Sequence, residues 1–152
     1  MKIVIGSDHG GFRLKSALLH ALTMKGHDME DVGTSDGDHA VDYPDFAAAV
    51  ARKVVAQPDT VGIVLCGTGI GASITANKVR GIRCALVHDC YTARMAKEHN
   101  NANVLALGGR TTTEEIALEC IDIWLASTFQ GGRHQPRLDK LTALDSLGSA
   151  GT

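Results

Sequence analysis

Short apolar runs recur about every 20 to 30 residues, and each is closed by Gly, Asp or Asn before a helical pattern begins. The runs predict these strands: Lys2–Gly6, Asp28–Val32, Val61–Leu65, Ile82–Val87 and Asn103–Leu107. Three of the runs are continuously apolar, which is typical of strands that helices cover on both faces. The regular alternation of strand and helix therefore predicts a parallel α/β sheet with interior strands.

The segments between the strands carry the spacing of amphipathic helices. An apolar stripe that starts at Phe12 and is ended by Gly26 predicts the first helix. A second stripe follows Pro44, a favoured first-turn residue. Thr112 and Glu115 have the spacing of a capping box. They predict the start of a helix that buries one face, formed by Ala117, Cys120, Ile121 and Trp124.

Two further helices complete the predicted fold. One begins near Ser73, and one runs from about Arg137 to Leu147 with Leu138, Leu141 and Leu144 on one side. Because no internal repeat or linker is visible, we expect a single domain over residues 1–147 and a flexible tail over 148–152. The order of elements predicts a three-layer α/β/α sandwich with a C-terminal helix, in which ligands bind beyond the carboxyl ends of the strands.

Composition and charge narrow the class of function. The 152 residues include 15 Lys and Arg against 17 Asp and Glu, and few aromatic side chains. This balance provides neither a basic surface nor a stacking platform, so nucleic acid is not expected as a partner. No apolar run approaches the roughly 20 residues of a membrane-spanning helix, and the N-terminal run is too short for a signal peptide. We therefore expect a cytoplasmic protein without a membrane partner.

The cysteines predict neither a disulfide framework nor a metal site. Cys66, Cys84, Cys90 and Cys120 form no CxxC pair and no zinc-binding pattern with histidine, so reduced thiols are the expectation. His88, Asp89 and Cys90 are adjacent in the chain. Three successive side chains point in different directions, however, and suit a loop at a strand end better than a metal centre. No metal is predicted.

Two strand ends carry residue types that favour a binding site. The first strand runs into Gly6-Ser7-Asp8-His9-Gly10-Gly11. A plain turn explains these glycines but does not require an acid beside an imidazole. The third strand runs into Cys66-Gly67-Thr68-Gly69-Ile70-Gly71-Ala72. Its alternating glycines allow backbone N–H groups to surround an anion at a helix N-terminus, which predicts an anion-binding loop.

The sequence pattern of the loop at 66–72 allows a second interpretation, and so does its cysteine. It also matches the G-x-G-x-x-A pattern of dinucleotide-binding proteins, with Asp89 near the place of the ribose-binding acid. A chain of this length leaves little room for a separate substrate domain, which weakens that interpretation. Cys66 faces amides and a helix N-terminus, surroundings that favour a thiolate. A small buried core residue is the alternative interpretation of this cysteine.

Later segments add polar candidates. His99-Asn100-Asn101-Ala102-Asn103 precedes the fifth strand, so its side chains could project at the carboxyl-end side of the sheet or at an interface. Helix capping accounts for one Asn but does not require the His. Arg110 follows two glycines after that strand. Arg133 and Arg137 stand four residues apart at a helix start, where paired guanidinium groups suit a phosphate, although solvated arginines are the ordinary alternative.

Motifs spread along nearly the whole chain identify a family resemblance. They are S-D-H-G-G at 7–11, V-D-Y-P-D at 41–45, C-G-T-G-I-G at 66–71, N-K-V-R-G-I-R at 77–83, E-H-N-N-A-N at 98–103 and F-Q-G-G-R-H at 129–134. Together they resemble the ribose-5-phosphate isomerase B family, which also contains galactose-6-phosphate isomerase subunits and allose-6-phosphate isomerases. The resemblance implies a Rossmann-like α/β/α fold and a homodimer, or a dimer of dimers, whose active site is shared between subunits.

The resemblance also implies roles for individual residues. Cys66 matches the family's base, and His99 matches the residue assigned to sugar ring opening. Asp8 is expected to assist His99, and the Thr68 hydroxyl is expected to orient the sulfur or the substrate. The positions that match substrate contacts are Asp8, His9, Tyr43, Gly67, Thr68, Gly69, Ile70, Gly71, Asn100, Arg110, Arg133 and Arg137.

The implied reaction interconverts D-ribose 5-phosphate and D-ribulose 5-phosphate. It requires ring opening, removal of a proton alpha to the carbonyl and stabilisation of an enediolate, none of which needs a redox cofactor or a metal. No cofactor is therefore predicted. Two alternatives stay open: a six-carbon aldose 6-phosphate, allose or galactose, because pocket depth cannot be read from sequence, and a non-catalytic sugar-phosphate or nucleotide-binding module.

Overall fold

A computed structural model describes residues 1–147 of the chain, which form a parallel sheet covered by helices. The strands are β1 (Lys2–Ser7), β2 (Asp28–Asp31), β3 (Thr60–Cys66), β4 (Cys84–Leu86) and β5 (Val104–Gly108). They pair in the order β2-β1-β3-β5-β4, and every pairing is parallel. The prediction of a five-stranded parallel sheet with three interior strands is confirmed.

The helices lie between and after the strands, as the sequence pattern predicts. They are α1 (Phe12–Met24), α2 (Tyr43–Ala56), α3 (Ile70–Asn77), α4 (Cys90–Glu98), α5 (Glu114–Ala126) and α6 (Gln135–Leu147), with short 3₁₀ turns at His9–Gly11 and Gly132–His134. Within the described part of the chain, no helix has the length and apolarity needed to cross a membrane. The predicted flexible tail over 148–152 lies outside the described residues.

The two faces of the sheet bury separate apolar layers, because successive strand residues point to opposite sides. Ile63 and Leu65 pack in the layer that contains α1, α4 and α5. Val64 and Cys66 pack in the layer that contains α2 and α3. The predicted three-layer α/β/α sandwich is therefore confirmed, and the alternation fixes the side of the sheet to which the Cys66 side chain points.

Several predicted boundaries are wrong by a few residues. β4 is shorter than the predicted Ile82–Val87 run. α3 begins at Ile70 rather than near Ser73, because Gly69 adopts a left-handed conformation (φ 78°) that turns the chain directly into the helix. α6 begins at Gln135 rather than Arg137.

The predicted capping box at the start of α5 is also wrong. Thr113, not Thr112, caps the helix, because its hydroxyl accepts the N–H of Ile116 at 3.3 Å. The backbone N–H of Thr112 is already bound to the carbonyl of Gly108 at 3.0 Å, which places Thr112 in the turn that leaves β5. Glu115 consequently lies one position too early to complete a capping box.

Candidate active site

The ends of the interior strands lie side by side at the carboxyl edge of the sheet. Ser7 is in register with Leu65, and Cys66 with Gly108. The loops that follow are joined by backbone hydrogen bonds, from Gly109 to the Cys66 carbonyl at 2.8 Å and from Arg110 to the Gly67 carbonyl at 2.9 Å. Residues from three distant parts of the sequence therefore form one surface.

Cys66 ends β3 with its side chain against the first turn of the loop that follows. Its thiol is buried, with the residue 5% exposed, and Sγ accepts the backbone N–H of Gly69 at 3.1 Å. That loop leads directly into the N-terminus of α3, where backbone N–H groups carry a partial positive charge. Sγ therefore accepts a backbone N–H directly beside a helix N-terminus.

Asp8 and His9 form the adjoining wall. Asp8 is 6% exposed, and its Oδ1 accepts the N–H of Gly11 at 3.1 Å. Nδ1 of His9 accepts the N–H of Val41 at 3.2 Å, which leaves Nε2 as the N–H donor of the neutral ring. The turn that carries both residues lies close to the Cys66 loop, since a Cβ added at Gly10 would lie 3.0 Å from the amide nitrogen of Gly67.

The glycines of the Cys66 loop let other candidate side chains approach its backbone. A Cβ at Gly67 would lie 2.8 Å from Nη1 of Arg110, and a Cβ at Gly71 would lie 2.5 Å from the ring of Tyr43. The hydroxyl of Thr68 accepts the N–H of Ile70 at 3.3 Å and keeps its own proton available for donation. The guanidinium and the phenol ring therefore flank the loop.

The remaining candidates form a second cluster. His99 follows the last residue of α4, and Asn100 is held through its carbonyl, which accepts Nε of Arg83 at 3.1 Å. The segment that precedes α6 is bound to the same place, because the N–H of Gln130 donates to the carbonyl of Glu98 at 3.0 Å. As a result the His99 ring stacks on the ring of His134, with centroids 4.2 Å apart.

This second cluster is rich in positive charge. Burial lowers the pKa of His134, and the neighbouring His99, Arg133 and Arg137 lower it further. A histidine that resists protonation adds no further positive charge beside the two arginines. Because Arg133 and Arg137 are exposed and their guanidinium groups can bind in a fork, they suit a phosphate dianion.

The two clusters lie at opposite edges of the sheet. His99 and Asn100 lie just before β5 begins at Val104, whereas Gly108, at the other end of β5, is in register with Cys66. The length of β5 alone separates these edges by about 13 Å. Of the two placements predicted for His99 to Asn103, the carboxyl-end side does not apply within one chain, and an interface stays a prediction. One copy of the chain does not bring His99, Asn100, Arg133 and Arg137 together with Cys66.

The structure assigns ordinary structural roles to other residues of interest. Asp89, the candidate ribose-binding acid, caps α4 by accepting the N–H of Thr92 at 2.7 Å. Burial raises the pKa of the Cys84 thiol to about 12 and that of Cys120 to about 11, so both are neutral thiols at neutral pH. Sequence reasoning missed His134, and the only signal for it was its place beside Arg133 in a glycine-rich segment.

Known proteins resemble this chain over nearly its full length. It is 46% identical over 142 residues to the putative sugar phosphate isomerase YwlF of Bacillus subtilis (strain 168), which covers 93% of this chain and 95% of the relative. It is 41% identical over 144 residues to ribose-5-phosphate isomerase B of Escherichia coli (strain K12), and this match covers 95% of this chain and 96% of the relative.

Solved structures agree with these sequence relatives. Ribose-5-phosphate isomerase B of Clostridium thermocellum matches with a TM-score of 0.94 and 49% identity, over 98% of this chain and 100% of that chain. Ribose-5-phosphate isomerase B of Mycoplasma genitalium with bound ribulose-5-phosphate matches with a TM-score of 0.91 and 42% identity, over 95% of this chain and 96% of that chain. The resemblance carried by the sequence motifs is thus confirmed. The Ribose/Galactose Isomerase family profile matches residues 3–141, and the chain therefore belongs to that family.

Proposed function

We propose that this protein is an aldose–ketose isomerase that interconverts D-ribose 5-phosphate and D-ribulose 5-phosphate. The observation that supports the chemistry most directly is the sulfur of Cys66, which lies at the mouth of β3 and accepts a backbone N–H of its own loop. The substrate follows from the relatives named ribose-5-phosphate isomerase B, one of which is described with bound ribulose-5-phosphate.

Cys66 acts as the base that moves a proton between two carbons. Its thiolate takes the proton from C2 of the open-chain aldose, and the electron pair of that C–H bond forms the C1–C2 double bond while the carbonyl pair moves to O1. The backbone N–H groups of Gly67 to Gly71 stabilise the resulting enediolate oxygen. The O2 proton passes to O1, the thiol returns the proton to C1, and O2 becomes the ketone oxygen, so no proton or electron is gained or lost by the substrate.

Ring opening and phosphate binding use mainly the second cluster, with help from residues of the Cys66 cluster. His99 removes the proton of the C1 hydroxyl and returns a proton to the ring oxygen as the bond between that oxygen and C1 breaks, and Asp8 assists in this transfer. Arg133 and Arg137 bind the phosphate, helped by Arg110 and His9. Because the phosphate lies far from the reacting carbons, its binding energy can hold the linear sugar in a reactive conformation.

A second copy of the chain completes each site. The carboxyl edge of one subunit, with Cys66, faces the amino edge of the other, with His99, because a five-carbon sugar phosphate is too short to contact both edges of one subunit. Two helices expose apolar side chains that are available for such contact. On α3 these are Ile70 (53% exposed) and Ile74 (56% exposed), and on α6 they are Leu141 (46%) and Leu144 (60%). A homodimer with two shared sites satisfies these requirements.

A cofactor-free assay tests the function. Purified protein is incubated with ribose 5-phosphate, allose 6-phosphate or galactose 6-phosphate, and formation of the ketose is followed to give kcat/KM for each sugar. The highest value is expected for ribose 5-phosphate. A higher value for either six-carbon sugar would reassign the substrate, and the absence of turnover with all of them would indicate a binding module instead.

A further inference from the structure

His134 has a position that the proposed chemistry does not yet use. The residue is 5% exposed, and its ring lies against that of His99 with a centroid distance of 4.2 Å and an angle of 19° between the planes. Stacked aromatic rings at this separation attract each other and restrict each other's rotation. The ring of His134 therefore covers one face of the imidazole to which ring opening is assigned.

The backbone around His134 is held independently of this stack. The N–H of His134 donates to the carbonyl of Gly131 at 3.0 Å. Gln130 binds the end of α4 twice, through its N–H to the Glu98 carbonyl at 3.0 Å and through Nε2 to Glu98 Oε2 at 2.9 Å. Replacement of the His134 ring therefore removes the stack while these anchors stay in place.

The charges around the pair explain why a neutral ring is needed there. His134 is close to His99, Arg133 and Arg137, which all carry or can carry positive charge. A permanently positive side chain at this position would be repelled by each of them. A neutral, flat ring can pack on His99 without that cost.

We infer that His134 is a positioning residue for sugar ring opening, whose ring plane fixes the orientation of the His99 imidazole. This inference rests on the proposed isomerase function and on the acid–base role of His99 within it. The loss of His134 leaves His99 free to rotate about its side-chain bonds, so that its nitrogen reaches the ring hydroxyl less often.

The two substrates differ in their need for this step. Ribose 5-phosphate closes a five-membered ring through its C4 hydroxyl, and that ring must open before the C2 proton can be removed. Ribulose 5-phosphate cannot form the corresponding ring, because its C5 oxygen carries the phosphate. Proton removal from C1 of ribulose 5-phosphate is therefore independent of ring opening. Its rate measures the activity of Cys66 as a base and does not include the ring-opening step assigned to His99.

The test compares both reactions in His134→Ala, His134→Phe and the control His20→Ala, whose side chain is exposed on α1. The rate of ketose formation from ribose 5-phosphate and the rate of deuterium incorporation at C1 of ribulose 5-phosphate in D2O are measured. His134→Ala is expected to lower the first rate about tenfold or more and to leave the second within about twofold of the wild type. His134→Phe restores the flat ring and is expected to recover most of the first rate.

A nuclear magnetic resonance measurement without substrate checks the geometry. The ring current of His134 shifts the Hε1 resonance of His99, and this shift is expected to disappear in His134→Ala and to persist in His134→Phe. Equal loss of both rates in His134→Ala, or a His134→Phe variant as slow as His134→Ala, would overturn the positioning role. The absence of both reactions in the wild type would instead contradict the proposed isomerase function, and this inference with it.

Discussion

Cys66 is the residue on which the proposed chemistry depends most. The glycine-rich loop after β3 was sufficient to predict an amide-lined site, because glycines at alternate positions have few other uses at a strand end. The choice between a core cysteine and a reactive one could not be made from the sequence, since both are compatible with the end of a buried strand. In the structure Cys66 belongs to a buried apolar layer and its Sγ accepts the Gly69 N–H, so the reactive role stays a prediction.

Replacement of Cys66 tests this interpretation. Cys66→Ala is expected to lower kcat at least about 100-fold, because a positioned base contributes that much or more. Cys66→Ser should be similarly slow, since a hydroxyl stays protonated at neutral pH. Cys120→Ala, in the opposite core layer, is the matched control and should keep near-normal kcat. A Cys66→Ala enzyme with near-normal turnover would contradict the role of the thiolate.

Arg137 is expected to act on substrate binding rather than on the chemical step. Arg137→Ala should raise KM for ribose 5-phosphate strongly, because it removes half of the paired guanidinium site for the phosphate. Lys140→Ala removes another exposed cation on α6 and serves as the control for net charge. Steady-state kinetics check the prediction, and an unchanged KM in Arg137→Ala would place the phosphate elsewhere.

His134 also predicts a dependence of stability on pH. Burial lowers the pKa of its imidazole in the folded protein below the value of about 6.5 expected in the unfolded chain. Between those two values the unfolded chain binds more protons, so the free energy of unfolding decreases as the pH falls from about 6.5 through the folded-state pKa. Urea unfolding at several pH values should show a smaller acid-side decrease for His134→Phe than for the wild type. Parallel pH profiles for the two proteins would contradict this effect.

At the scale of elements, the sequence predicted the strands and the helices well, because buried parallel strands and amphipathic helices leave clear periodic patterns. Errors occurred where hydrogen bonds, not periodicity, decide a boundary. Three successive threonines precede α5, and the one that caps the helix is determined by the turn that leaves β5. On α6, Leu138 is buried but Leu141 and Leu144 are exposed, because no element within the described residues 1–147 covers them.

Gly69 tests how strictly the backbone of the Cys66 loop is specified. Gly69 has φ 78°, and a Cβ there would lie 2.7 Å from Cδ1 of Leu86 and 2.9 Å from the carbonyl carbon of Leu107. Gly26 has φ 88°, and an added Cβ would meet nothing within 4 Å. A substitution at Gly26 therefore measures the free-energy cost of the left-handed backbone alone, without a steric clash. Gly26→Ala is expected to cost about 1 kcal/mol and Gly69→Ala clearly more. Urea unfolding checks both, and equal costs would indicate that the loop relaxes without strain.

At the scale of the whole molecule, the position of the two clusters could not be predicted from the periodic pattern. His99 follows a helix and precedes a strand. The linear sequence does not say whether its side chain contributes to the site of its own subunit or to that of a second copy. The parallel topology answers part of the question, because every helix returns the chain to the amino edge before the next strand begins. Cys66 and His99 therefore occupy opposite edges, and the implied shared site becomes a geometric requirement of the proposed mechanism.

Mixing two inactive variants tests this arrangement most directly. Cys66→Ala and His99→Ala chains are produced together, and isomerase activity is measured in the mixed and in the separate preparations. Random pairing should give hybrid dimers with one intact site, and so about a quarter of the activity of the same amount of wild-type protein. A mixture no more active than its two separate components, with hybrid dimers shown to be present, would contradict a site built from two subunits.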